Sequence, residues 1–221
     1  GWNVENVNNM SQMFENCPYN YDLSWNTSSV TNMAGMFRDS SFNKDISGWD
    51  VRDVSNMSQM FENCPYNHDL SWNVSKVKNM ARMFRDSSFN KDISGWNVEQ
   101  VQDMRSMFEN CPYNHDLSWN VFKVKNMNSM FLNANRFNQD ISDWNVTNVT
   151  DMDNMFLNAT MFNVPLGRWD LSSINTTTIS NMFLGATEMS NNYYHQSPNV
   201  TVSNRLQFYP GSRAIFDTAI R

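Results

Sequence analysis

The chain has 221 residues, a formal net charge of −6 and no basic stripe, so binding to nucleic acid through its phosphates, which needs clustered Lys and Arg, is not expected. An apolar fraction of 40% with 14% aromatic residues excludes a disordered chain. No run approaches the roughly 20 apolar residues of a membrane helix, so no membrane insertion is expected of this segment. The chain opens at Gly1-Trp2, inside a repeat unit, which is the expected look of a fragment or a processed form.

From Trp2 onward one unit recurs. Its eight tryptophans are Trp2, Trp25, Trp49, Trp72, Trp96, Trp119, Trp144 and Trp169, spaced 23 to 25 residues apart. A fixed period in the twenties marks units that bury their apolar sides against their neighbours. Within the unit Phe42–Phe61, Trp49 and Val51 stand two apart, the spacing of one strand face. Met57, Met60 and Phe61 stand at i, i+3 and i+4, which predicts one face of a short helix capped by Ser55 or Asn56. Pro65 ends it. The predicted architecture is therefore an α/β solenoid of about eight coils of 23–25 residues. Each coil is a short strand plus a short helix, stacked over residues 1–186. From about Thr187 the pattern stops. Residues 187–221 then read as a strand or hairpin and a short helix, a C-terminal capping segment for the open apolar end.

A longer period of about 47 residues sits on top. Glu-Asn-Cys-Pro-Tyr-Asn occurs at 15–20, 62–67 and 109–114, and Arg-Asp-Ser-Ser-Phe-Asn at 38–43 and 85–90. This reads as duplication of a two-coil block. It also sets Cys17, Cys64 and Cys111 two coils apart. At about 4.8 Å per coil they are about 10 Å from one another, too far for disulfides, so they read as free, buried residues.

Asn20, Asn43, Asn67, Asn90, Asn114, Asn138 and Asn163 recur at one turn position, with Asp22, Asp45, Asp69, Asp92, Asp116 and Asp140 two residues on. Both types bond nearby backbone in turns, so a backbone-satisfying ladder is the plain reading. A calcium row on Asp45, Asp69, Asp92 and Asp116 is the weaker one, because the acid-dense, Gly-rich loops of calcium repeats are missing. His68 and His115 share their position with Tyr21, which makes them, and the isolated His195, poor bases or metal ligands. No phosphate loop, paired Cys-x-x-Cys or nucleophile motif occurs, so neither an enzyme nor a cofactor is expected. Nine Asn-x-Ser/Thr sequons occur; Asn26, Asn73, Asn145, Asn148 and Asn199 are the glycosylation candidates in a secreted setting.

The string Phe-Asn-x-Asp-Ile-Ser-x-Trp-Asn/Asp-Val-x-x-Val-x-x-Met-x-x-Met-Phe is clearest at 42–61, 89–108 and 137–156. It resembles the BspA-like surface-protein repeat, known also from mycoplasma lipoprotein-associated proteins of unknown function. The resemblance implies a relative of leucine-rich repeats, a cell-surface or extracellular location, and no general catalytic residues. The expected function is a non-enzymatic structural or adhesive module. Its partners would be protein or glycan at a cell surface, or further copies of itself. The alternative is a calcium- or glycan-binding receptor domain. Either way, partners are expected on the variable outward positions Ser29, Arg52, Lys76, Glu99 and Lys123.

Overall fold

The computed structural model describes residues 2–174, 178–179 and 181–189. The units stack in parallel register through isolated bridges, Asn9 with Asn32, Asn32 with Asn56, and so on to Asn126 with Asp151. Between the bridges the backbone is a ribbon of tight turns. Take the second unit. The N–H groups of Met33, Gly35, Phe37 and Asp39 donate to the carbonyls of Asn56, Ser58, Met60 and Glu62 in the next unit, at 2.8 to 3.0 Å. The carbonyls of Asn32, Ala34, Met36 and Arg38 accept from Met10, Gln12, Phe14 and Asn16 of the unit before. The peptides between close turns within the unit, Met36 N–H to the Met33 carbonyl and Arg38 N–H to the Gly35 carbonyl. Every second peptide therefore lies along the stack, and the others fold the ribbon. Both sets of backbone groups find partners without a helix or a sheet.

The sequence-based expectation of an α/β solenoid with leucine-rich-repeat-like coils is overturned. Among the described residues there is almost no helix and almost no strand, and no sheet. The spacing of Met57, Met60 and Phe61 is produced by turns, because Phe61 N–H goes to Met83 of the next unit and not to the residue four positions back. Two residues four apart are left-handed, Gln59 at φ 60° and Asn63 at φ 51°, and these are incompatible with an α-helix. Trp49 and Val51 form no strand either. Trp49 N–H closes a turn on Ile46, and Val54 N–H closes one on Val51. A three- and four-residue periodicity reports only which side chains return to one face, and a turn ribbon returns them as a helix does.

What drives the stack is ladders of like side chains. Phe14, Phe37, Phe61, Phe84, Phe108, Phe131, Phe156 and Phe183 stand one per unit, with consecutive ring centroids 5.6 to 5.9 Å apart and planes within 12° of parallel. Offset stacking at this distance is favourable beyond the area buried. Each tryptophan from Trp49 to Trp169 is buried and donates its Nε1–H to a carbonyl one unit back, for example Trp96 to Leu70 at 2.8 Å. The indole thus fills the core and ties its one polar group to a neighbour. Met33, Met57, Met80, Met104, Met127 and Met152 are fully buried between the ribbons. Their unbranched side chains suit the gaps between stacked rings. The stack runs from the first unit to the unit containing Met182 and Ala186. Residues 187–189 are helical, and the rest of the expected capping segment lies outside the described residues.

Candidate functional site

Three polar ladders follow the stack, and they account for most of the residues that stand out in the sequence. In the first, the asparagine ladder, Oδ1 of Asn20 accepts the backbone N–H of Asn43, Asn43 accepts from Asn67, Asn67 from Asn90, Asn90 from Asn114, and the series continues to Asn163. A second set caps turns. Asn9, Asn32, Asn56, Asn79, Asp103, Asn126 and Asp151 each accept the N–H two residues on. The residue after each tryptophan does the same, and this uses three of the glycosylation candidates. Oδ1 of Asn26, Asn73 and Asn145 accepts from Ser28, Ser75 and Thr147. Asn148 instead donates Nδ2–H to the Phe122 carbonyl at 2.8 Å. All four asparagines are exposed; Asn199 lies outside the described residues.

The aspartates Asp22, Asp45, Asp69, Asp92, Asp116 and Asp140 form an exposed row. They do not converge. Asp45, Asp92 and Asp140 accept the N–H groups of Ser47, Ser94 and Ser142, and those backbone bonds hold their carboxyls below the usual range. Asp116 accepts the Ser118 hydroxyl, and Lys91 Nζ comes within 3.9 Å of Asp69. Among the described residues no group of three or more His, Cys, Asp or Glu side chains gathers around one point. His68 and His115 each place Nε2 3.1 Å from the carbonyl of Asn43 or Asn90, at equivalent turns. His195 lies outside the described residues. The cysteines are free. Cys64 and Cys111 are buried, and each points its thiol at a phenylalanine carbonyl, Phe42 or Phe89, at 3.2 Å. Burial pushes the Cys111 thiol up to about 11.

The third ladder was not foreseen from the sequence. Glu15, Arg38, Glu62, Arg85 and Glu109 stand at one position in successive units and alternate in sign. Arg38 bonds Glu15. Arg85 bonds Glu62 at 2.8 Å, and its Nε lies 3.2 Å from Glu109. Glu62 is 6% exposed. Burial opposes the charge on Arg85, but the bond to Glu62 and the nearby Glu109 outweigh it and keep the guanidinium firmly protonated. Beside it runs a like row in left-handed conformation. Asn63 Nδ2 donates to Asp39, and Asn110 Nδ2 donates to Asp86. The signal was present in the 47-residue period, where Phe-Glu-Asn alternates with Phe-Arg-Asp. Duplication of a two-coil block explains both the repetition and the alternation, and opposite charge explains why the two coils of the block suit one another.

The remaining feature is the outer face of the first unit. There Trp2 is 67% exposed and Met13 36%, and Tyr21 is exposed beside them. A concavity of about 660 Å³ opens there, lined by Trp2, Met13, Phe14, Cys17, Tyr19 and Trp25 among others. Elsewhere the outward positions Ser29, Arg52, Lys76, Glu99 and Lys123 are all exposed, one per unit.

A parallel stack of near-identical units with internal ladders defines a repeat protein. The family model described as "Mycoplasma protein of unknown function, DUF285" matches residues 1–87, 65–118 and 86–197. The chain belongs to that family. No curated protein and no solved structure matches it.

Proposed function

We propose that the chain is a non-enzymatic structural or adhesive module of a cell surface or the extracellular space, related to BspA-like surface repeats, that binds protein, glycan or further copies through its outward positions. One observation carries this reading. The asparagines, tryptophans and the Glu–Arg row are engaged with neighbouring units. What varies from unit to unit is an exposed outward column two residues wide, with Ser29, Lys76 and Lys123 four residues after a tryptophan and Arg52 and Glu99 three after; its bonds to neighbouring units are single, exposed ones. A scaffold that repeats such a column once per unit suits recognition of an extended partner.

The test is binding of immobilised protein to glycans, to host surface proteins and to itself. It compares the parent with the combined variant Arg52→Glu, Lys76→Glu, Lys123→Glu. These side chains are exposed and their ion pairs contribute little stability, so melting should not change. Binding should fall at least tenfold. Undiminished binding sinks the outward-column reading.

A calcium- or glycan-binding receptor role is the second reading, favoured by the exposed row of six aspartates. Calcium at 1 to 10 mM should then raise the melting temperature of the parent and leave Asp69→Asn/Asp92→Asn unmoved, on the scale of about 1 mM affinities typical of extracellular sites. No shift removes the calcium half of that reading.

A further inference from the structure

The outer face of the first unit is an unfinished copy of an interface that occurs inside the molecule. Residues 1–26 and 95–120 differ at only six positions. Yet Trp96 is 5% exposed where Trp2 is 67%, and Met107 is fully buried where Met13 is 36% exposed. Tyr113 is fully buried, while Tyr19 is only partly covered. The difference lies in what covers them. Over residues 95–120 lies the unit containing Met80–Asp86. Its N–H groups at Met80, Arg82, Phe84 and Asp86 donate to the carbonyls of Asp103, Arg105, Met107 and Glu109. The counterparts of those four acceptors are Asn9, Ser11, Met13 and Glu15, and no described residue donates to them.

We infer that this face takes a further unit of the same repeat, of the arginine–aspartate kind found at Met33–Asp39 and Met80–Asp86. The first of three matches calls for a unit of this ribbon, and the other two select the kind. Four outward carbonyls require four N–H donors at the spacing this ribbon provides. Glu15 calls for an arginine, as Glu109 receives Arg85. Asn16 calls for an aspartate, as Asn110 donates to Asp86. A glutamate–asparagine unit would set like charges together at Glu15. A second copy joined first face to first face is disfavoured, because the four carbonyls of Asn9, Ser11, Met13 and Glu15 in each copy would meet four carbonyls and not four N–H donors. The inference does not depend on what the outward column binds.

The test is to fuse a copy of residues 72–94 ahead of Gly1. That reproduces the junction by which Ser94 leads into Gly95-Trp96 within the chain. The extended protein should melt about 5 °C or more above the parent, since each added interface stabilises a stack. Trp2 should lose most of its quenching by acrylamide. The same extension with Arg85→Glu in the copied segment should lose at least half of the gain, and the parent should sediment as a monomer. Three outcomes overturn the inference: an extension that leaves Trp2 as quenchable as before, a charge-reversed extension as effective as the first, or a parent that forms dimers abolished by Trp2→Ser.

Discussion

At fourteen described positions a residue other than glycine carries a positive φ. The turn ribbon places two in each unit, four residues apart, and the chain fills one of the two rows with the side chains that tolerate it. Asn16, Asp39, Asn63, Asp86, Asn110, Asn133 and Asn158 are followed by Gly185. The other row is less well suited, with Gln59, Arg82 and Ser106 in the same conformation. Arg82→Gly should therefore stabilise the protein by about 0.5–1 kcal/mol, raising the melting temperature by about 2 °C. Asn110→Ala should cost about 1–2 kcal/mol, through lost backbone tolerance and lost bonds to Asp86 and Asn133. Thermal unfolding of the two variants checks both signs. The thiols supply a second residue-scale prediction. Cys17 is partly exposed, while Cys64 and Cys111 are buried. One thiol should react with a disulfide reagent at pH 8 in the native protein, and three in denaturant. The pH sign follows from burial. A thiol held near 11 contributes stability below its unfolded value of about 9, and that contribution disappears as pH rises from about 9 toward 11.

At the scale of the element, a ladder is the working unit. Asn67→Ala removes the acceptor of the Asn90 N–H, bonded at 2.9 Å, and should cost about 1–3 kcal/mol measured by urea unfolding. The aspartate turns give a pH profile. Their carboxyls are depressed by backbone N–H bonds, so their contribution is complete above the unfolded value of 3.8 and is lost as pH falls through the folded one. Asp153 opposes this, because burial and then Asp151 raise its carboxyl. Stability should stay level from pH 7 to about 5 and drop below about pH 4, with a shallower drop in Asp45→Asn/Asp92→Asn/Asp140→Asn. Much of this level was legible in advance. The asparagine turns were readable because Asn has few other reasons to recur at one turn. The tryptophans were readable as core from their period. The ribbon was not, because apolar spacing cannot tell a helix from turns whose N–H groups leave for a neighbour. The Glu–Arg row was hidden for a related reason, since its meaning lies between units and each unit taken alone shows one unremarkable charge.

For the whole molecule, stability is a sum over interfaces, so position along the stack should scale the effect of the same substitution. Phe84 is flanked by Phe61 and Phe108 and fully buried, whereas Phe14 is covered by Phe37 on one side only along its ladder. Phe84→Ala should cost about 3–5 kcal/mol and Phe14→Ala distinctly less. Equal costs would contradict stacking as the source of order.

The alternate peptides that lie along the stack carry one more consequence. Four columns of them run head to tail, carbonyls toward the first unit and N–H groups toward the last, while a single column, such as Thr31 to Asn8 and Ser55 to Thr31, runs the other way. Each peptide has a dipole of about 3.5 D, and the excess of columns does not cancel. The protein is thus an electrical rod as well as a mechanical one, with its negative pole at Asn9, Ser11, Met13 and Glu15. A cation approaching that pole is favoured by the backbone itself, before any side chain is counted.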